Sequence, residues 1–418
     1  MNEDHKIVRD SIHGDIKIDG IFLDIIRAPE VQRLYNVKQL GFAHLVFPGA
    51  HHTRLEHSLG TYFMAKKSGD ILNIDETDKK NLTIAAFLHD VGHGPFSHTL
   101  ESLLRESLNF SHVDISEKII LGEFDIFTET EKEFINSPNL CELLEKYDID
   151  KKKVNKIIKG EKQDKQHLSD LLVSVIDVDQ LDYLTRDSYY TGVAYGLIDT
   201  DRFLQTLKII DNNLMIERKG VGVVENILMA RSLMYSSVYF HKTVRIAELM
   251  LSKAIEMIED FNPYNLFKMT DDELINYTKK TNDYSFEIIT CLKYRYLFKT
   301  AYSRSHESLT KDEIDQINNL ENPDKRRLKE REIEDKLNIP KGHIIIDIPY
   351  QELHFSEPRI DKTDIKIYDE GRIKKIDELT PITSAIRSRY IPDWLLMVIT
   401  DDKYRNTVSS NIEKILFS

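Results

Sequence analysis

Leu88-His89-Asp90-Val91-Gly92-His93-Gly94-Pro95-Phe96-Ser97-His98 places three imidazoles and a carboxylate within a short span, directly behind an apolar helical run. A core helix gains nothing from such groups, because each buried imidazole or carboxylate must find a partner or destabilise the fold. A metal ion supplies such a partner. Two further groups fit the same purpose: His57, in Thr53-Arg54-Leu55-Glu56-His57-Ser58, and Asp179, in Val178-Asp179-Gln180-Leu181-Asp182. Two imidazoles and two carboxylates leave coordination positions open for water and substrate. That N/O set suits Mn, Fe, Co, Ni or Zn, and Mg less well. A divalent ion lowers the pKa of water towards neutrality and polarises a phosphoryl oxygen. A second titratable group must then protonate the leaving oxygen, and His93, His98 and His112 are the candidates, with Glu101 three residues after His98 to orient its ring.

These groups need elements to hold them. Residues 6–22 alternate weakly around His13-Gly14 and predict a hairpin or extended entry. The spacing from Ile21 to about Gly41 is helical, and further helices are expected at 53–72, 78–91, 97–121, 128–146, 167–190 and 223–261. The helix at 78–91 should stop at Gly92 and Gly94-Pro95, and Gly92 is placed to let His89 and Asp90 turn towards one ion. Thr270 with Glu273 and Thr310 with Glu313 fit capping boxes. Residues 306–338 are highly charged and predict an exposed helical arm. Strands are expected at 343–348, 364–368 and 395–400. The organisation expected is a mainly helical domain over 1–305 and a smaller mixed α/β lobe over 306–418.

The 418 residues are 41% hydrophobic and 30% charged, the composition of a folded chain, and carry a formal charge of −13. That charge disfavours nucleic acid as a partner, since polyanion binding neutralises phosphates with Lys and Arg. The one basic run, lysines 151, 152, 153, 156, 159, 162 and 165, reads as a solvated connector. Only Cys141 and Cys291 are present, which removes thiolate zinc sites and suits a reducing compartment. The N-terminus lacks a signal-peptide core and no run is long enough for a membrane span, so a cytoplasmic location is expected.

The ordered set His57, His89-Asp90 and Asp179 resembles the HD-domain metal-dependent phosphohydrolases. Gln32-Arg33-Leu34, Lys38-Gln39-Leu40-Gly41, Val46-Phe47-Pro48-Gly49-Ala50 and Arg54-Leu55-Glu56-His57-Ser58-Leu59-Gly60, together with the run from His89 to His98, resemble the deoxynucleoside triphosphate triphosphohydrolase branch. The resemblance runs from Lys6 to about Lys242. It implies a mainly α HD-domain helical bundle that cleaves a deoxynucleoside triphosphate to a deoxynucleoside and inorganic triphosphate. By motif, His57, His89, Asp90 and Asp179 would be the metal ligands and Arg54 would grip phosphate oxygens. His93, His98 and His112 would surround the α-phosphate, with His98 the proton donor. Gln39 and Asp187 would recognise the 3′-hydroxyl, Leu40 and Tyr239 would crowd the 2′ carbon, and Tyr183 would flank the sugar. Lys6, Arg202, Arg218, His241 and Lys242 would form a regulatory nucleotide site between subunits of a homo-oligomer, a dimer or tetramer.

The chain departs from that pattern at four places. Val113 stands where relatives carry a glutamate after the histidine, and Gln180 where they carry Lys or Arg. Arg27 replaces an aspartate and Tyr35 an arginine near the effector position. Two rival readings follow: the same centre acting on a monophosphate or cyclic nucleotide, and a nucleotide sensor without catalysis.

Overall fold

In the computed structural model, which describes residues 5–108, 110–135, 137–349, 365–389 and 394–417, the chain enters as a hairpin. Strand His5–Asp10 pairs antiparallel with Gly14–Asp19. The turn is organised by Asp10, whose Oδ1 accepts the backbone N–H of Ile12 and of His13 at 2.9 and 2.8 Å.

The expected helix over 21–41 is instead broken into short pieces, Phe22–Ile25, Pro29–Gln32 and the 3₁₀ turns Arg33–Asn36 and Gly41–Leu45. Pro29 at the start of the second piece lacks the N–H that would continue the first. Helix Arg54–Ile71 then begins with a capping box in which Thr53 N–H donates to Glu56 Oε2 (2.6 Å) and Glu56 N–H to Thr53 Oγ1 (3.4 Å). Helix Glu76–Leu88 is N-capped by Asp75, and helix Val178–Thr191 by Asp177. These three pack through Leu55, Leu59, Tyr62, Ile84, Phe87, Leu181 and Leu184, all buried in the main core.

Elsewhere the apolar periodicity ran on across real breaks. The 97–121 stretch is two helices, Ser97–Leu108 and His112–Leu121, the second opened by a Ser111–Asp114 capping box. The 128–146 stretch is Glu129–Lys132 and Leu140–Lys146, the 167–190 stretch is Gln166–Leu172 and Val178–Thr191, and the 223–261 stretch is Val221–Met234 and Lys242–Glu256 joined by a π-helical turn over Tyr235–Tyr239. The lysine run is not a solvated connector. Its first part is helix Lys151–Ile158, which buries Val154, Ile157 and Ile158 in the main core, while Lys153 and Lys165 both reach the buried Asp78. Only its outward-facing ammonium groups had been legible.

The remaining chain adds two sheets. Hairpin Leu207–Ile210 with Asn213–Glu217, unforeseen in the sequence, turns at Asp211 and Asn212, both left-handed. Strand Lys366–Asp369 lies parallel to its second strand and pairs with Arg372–Lys375; residue 364 of the expected strand lies outside the described residues. In the other sheet Leu396–Thr400 is central between Lys299–Arg304 and Ile344–Asp347. The charged segment is two helices, Lys311–Asn319 and Pro323–Leu337, and it is docked rather than an exposed arm. Glu330 is buried against Lys253 (2.6 Å), and Glu334 accepts the N–H of Gly342 (2.6 Å) and Ile344 (3.2 Å).

We propose that a satellite core lies beyond residue 305 and is fused to the main one through that central sheet, while Ile365, Ile367, Ile376, Ile386 and Trp394 join the main core itself. Ile344, Ile346, Leu396 and Val398 face a second cluster with Ile317, Ile333, Val408 and Ile412, while Ile345, Met397 and Ile399 face the main core. The two-residue period of the strands sends alternate side chains to opposite cores. Helix accounts for 59% of the structure, so the class is mainly α. No helix among the described residues is long and apolar enough to cross a membrane.

Candidate metal centre

His57 lies in the first turn of helix Arg54–Ile71, and His89 and Asp90 directly follow Leu88 at the end of Glu76–Leu88. Asp179 lies in the first turn of Val178–Thr191. Gly92 also has a packing role. The helix starting at His112 passes so close that a Cβ on Gly92 would overlap His112 O and Ser116 N. Ser116 fastens the turn, accepting the Gly92 N–H and donating to His89 O, each at 2.9 Å.

The four groups converge. His57 Nε2 is 3.0 Å from Asp179 Oδ1 and 3.9 Å from Asp90 Oδ2; His89 Nε2 is 3.3 Å from Asp90 Oδ1 and 3.6 Å from Asp179 Oδ1. The second nitrogen of each ring is already committed. His89 Nδ1 donates to Ala86 O at 2.9 Å, and His57 Nδ1 meets Asp182 Oδ2 at 2.8 Å. Both Nε2 atoms therefore face carboxylates, and His89 Nε2 is buried with no hydrogen-bond partner. A ring nitrogen this close to a carboxylate needs a proton or a metal cation between the two. The donor set thus fits a divalent ion, and His57, His89 and Asp90 each offer an atom within 4.8 Å of the others.

Charge around the site is strongly perturbed. Burial works against a charged His57, but hydrogen bonds to Asp179 and Asp182 outweigh it and hold the imidazole up at about 10. Asp90 stays well below the usual carboxylate range despite burial, held there by His89, His93 and Arg54. His93 is pushed well down by burial and then by the Arg54 charge and His112, so its ring is neutral near pH 7. Its Nε2 is 3.2 Å from Asp90 Oδ1, and its ring stacks on that of His112 with centroids 3.9 Å apart. Asp90, His93 and His112 form a second group able to share an ion.

Behind His57 is a support that sequence reasoning missed. Asp182 holds His57 on one oxygen and His13 Nε2 (2.7 Å) on the other, and Arg186 grips both Asp182 and Asp10 through four hydrogen bonds of 2.8 to 3.2 Å. A carboxylate behind a ligating imidazole fixes its orientation and basicity. The signal available was spacing, since Asp182 and Arg186 follow Asp179 at +3 and +7 on one helical face. His13→Phe, which preserves a ring against Phe63 (4.8 Å), should lower metal affinity about 10–100-fold. Equilibrium dialysis checks this, and unchanged affinity would remove His13 from the support. The close approach of the two helices also depends on Gly60, where a Cβ would overlap Asp182 Oδ1. Gly60→Ala should therefore destabilise the protein by about 3 kcal/mol or more, read from the urea midpoint.

Other expected residues are placed as follows. Arg54 is buried and donates from Nη1 to Asp90 Oδ2 (2.6 Å). Asp187 accepts from Tyr239 Oη at 2.6 Å and meets His52 Nε2 at 2.8 Å. Tyr183 lies between His57 and Tyr239, its ring centroid 6.5 and 6.2 Å from theirs. Gln39 is buried, its N–H donating to His52 O (3.0 Å) and its Oε1 without a partner; Leu40 beside it is half-buried. His98 and Glu101 lie on helix Ser97–Leu108, but their side chains fall outside the described residues. Gln180 is fully buried, donating to Ser174 O (3.2 Å) and facing Arg231, and Val113 packs on the main core. Lys6, Arg202, Arg218 and Lys242 are exposed on separate elements, as are Arg27 and Tyr35, and His241 N-caps the helix that Lys242 begins.

A helical bundle converging two imidazoles and two carboxylates on one buried point, with two further histidines beside it, is the architecture of a metal-binding hydrolase. Residues 54–187 match the HD domain and residues 198–417 the HD associated region, and the chain belongs to the HD-domain phosphohydrolase superfamily. It is 33% identical to an uncharacterized protein of Methanocaldococcus jannaschii over 98% of this chain and 84% of that one. It is 32% identical to a deoxynucleoside triphosphate triphosphohydrolase homolog of Dictyostelium discoideum, over 61% of this chain and 50% of that protein, so it spans about half the length of that relative. Among solved structures, a phosphohydrolase from Bacteroides thetaiotaomicron superposes with a TM-score of 0.71 at 26% identity, covering 95% of this chain and 99% of that one.

Proposed function

We propose that the protein hydrolyses deoxynucleoside triphosphates to a deoxynucleoside and inorganic triphosphate. The observation that carries the reading is the pair of imidazole nitrogens, His57 Nε2 and His89 Nε2, turned on carboxylates of Asp179 and Asp90 and continued by the strip Tyr183, Tyr239, Asp187 and Gln39. His57, His89, Asp90 and Asp179 hold the cation, a divalent metal whose identity the donor set narrows to Mn, Fe, Co, Ni, Zn or Mg. When bound, it supplies Lewis acidity towards a phosphoryl oxygen and makes water nucleophilic near neutral pH.

The chain's own groups do the rest. Arg54, anchored on Asp90, presents a guanidinium to the phosphates. Neutral His93, stacked on His112, takes or relays a proton, and His98, oriented by Glu101, protonates the 5′ oxygen as the deoxynucleoside leaves. Asp187, preset by His52 and Tyr239, and Gln39, with its unpartnered buried Oε1, bind the 3′-hydroxyl; Leu40 and Tyr239 exclude a 2′-hydroxyl and Tyr183 flanks the sugar. Lys6, Arg202, Arg218, His241 and Lys242 take a regulatory nucleotide at an interface between copies of the chain. The free thiols Cys141 and Cys291 suit the cytoplasm.

A second reading, hydrolysis of a smaller phosphoester, draws on Gln180, which is buried under Arg231 and offers no charge to a triphosphate. Purified protein with Mn²⁺, Mg²⁺ or Co²⁺ and mixed deoxynucleoside triphosphates should release deoxynucleoside and triphosphate, resolved by ion-exchange chromatography. Consumption of a monophosphate or cyclic nucleotide with the triphosphates untouched would replace the first reading by the second. No turnover with any metal would overturn both in favour of a sensor.

A further inference from the structure

We propose that Glu287, His343 and Asp401 form a second divalent-cation site, of the Zn²⁺-binding kind, in which one ion clamps the C-terminal lobe to the helical body. The three groups come from distant segments: Glu287 from helix Asp283–Lys293, His343 from the residue before strand Ile344–Asp347, and Asp401 from the residue after strand Leu396–Thr400. One ligand atom from each lies within 4.8 Å of the others.

His343 is the informative member. It is 4% exposed and fixed by three aromatic rings, Phe298 stacked at 5.8 Å and Tyr284 and Tyr404 edge-on at 5.7 and 5.8 Å. Yet its Nδ1 is buried without a hydrogen-bond partner, and Nε2 stops 3.9 Å from Glu287 Oε2, beyond hydrogen-bond reach. Nε2, turned towards Glu287 without a hydrogen bond, is the nitrogen that an ion would take, on a ring already fixed in place by its aromatic neighbours. Burial lowers its pKa and keeps it neutral, the state a ligand needs. The backbone aims it: Gly342 is left-handed (φ +87°), and its carbonyl accepts from Tyr284 Oη at 2.6 Å.

One imidazole and two carboxylates plus water make a tetrahedral zinc set, with donor atoms about 2.0–2.2 Å from the ion. Reaching it requires a contraction of roughly 1 Å, available because Glu287 is 45% exposed on its helix. Lys403, whose Nζ donates to Asp401 at 3.1 Å, stands in for the cation and moves out to solvent when the ion binds. The pull joins Asp283–Lys293, which packs in the main core through Ile288, Ile289 and Leu292, to the central strand Leu396–Thr400 and the edge strand Ile344–Asp347 of the lobe sheet.

Equilibrium dialysis of the full chain against micromolar zinc sulfate, followed by metal analysis, tests the site. Wild type should bind one equivalent more than Glu287→Gln, with hydrolysis unaffected by the substitution. His343→Ala should lose the same equivalent, but the cavity it leaves makes Glu287→Gln the cleaner variant. Equal zinc stoichiometry in wild type and Glu287→Gln, whether one ion or two, overturns the proposal; the centre at His57 is untouched in both.

Discussion

Asp179→Ala should cut turnover severely and leave the centre unable to hold an ion, because Asp179 Oδ1 lies close to both imidazoles, at 3.0 Å from His57 Nε2 and 3.6 Å from His89 Nε2. Removing a single preorganised electrostatic contact from an active site costs about 10²–10³-fold in rate. Losing the cation removes more, so the expected fall is at least about 10³-fold, together with loss of bound metal measured on the purified variant. Wild-type metal content with wild-type activity would strike Asp179 from the ligand set. The fold should survive, because Asp179 is partly exposed at the mouth of the site, with 21% of its side chain accessible.

The largest effect on stability belongs to Arg186→Met. The side chain of Arg186 is wholly buried and answers two buried carboxylates, Asp182 and Asp10. Methionine fills similar space but leaves those carboxylates facing each other in the interior. Breaking a buried pair by removing one partner costs about 3–5 kcal/mol. That should appear as a lower denaturant midpoint at unchanged slope. Because Asp10 also builds the turn that presents His13, metal affinity should fall in parallel. A variant with an unshifted midpoint would show that His57 and His13 alone neutralise Asp182.

What could be read in advance follows from how each residue advertises itself. His57, His89, Asp90 and Asp179 stood out as candidates because imidazoles beside apolar helical runs have few other uses. Asp182, Arg186, Asp10 and His13 did not, since each resembles an ordinary surface residue until the hairpin folds back over helix Val178–Thr191. The mainly helical class was legible from periodicity, but not the helix ends. Ser111 and Asn139 interrupt patterns whose apolar spacing continues beyond them, and a cap is a local hydrogen bond that outweighs periodicity. Lysines 151–165 misled because their stems and charges hid Val154, Ile157 and Ile158 on the opposite face. The strands at 344–347 and 396–400 were visible as apolar runs bounded by turns, though not that each would serve two cores.

That double service has a consequence for how the molecule can change. In Leu396–Thr400 no side is left over: slipping the register by one residue would exchange Leu396 and Val398 with Met397 and Ile399, spoiling both interiors at once. Insertions or deletions in this strand are therefore barred. The tail of the chain is bound to the stability of the hydrolase body, and truncation there would be felt at the opposite end of the sequence.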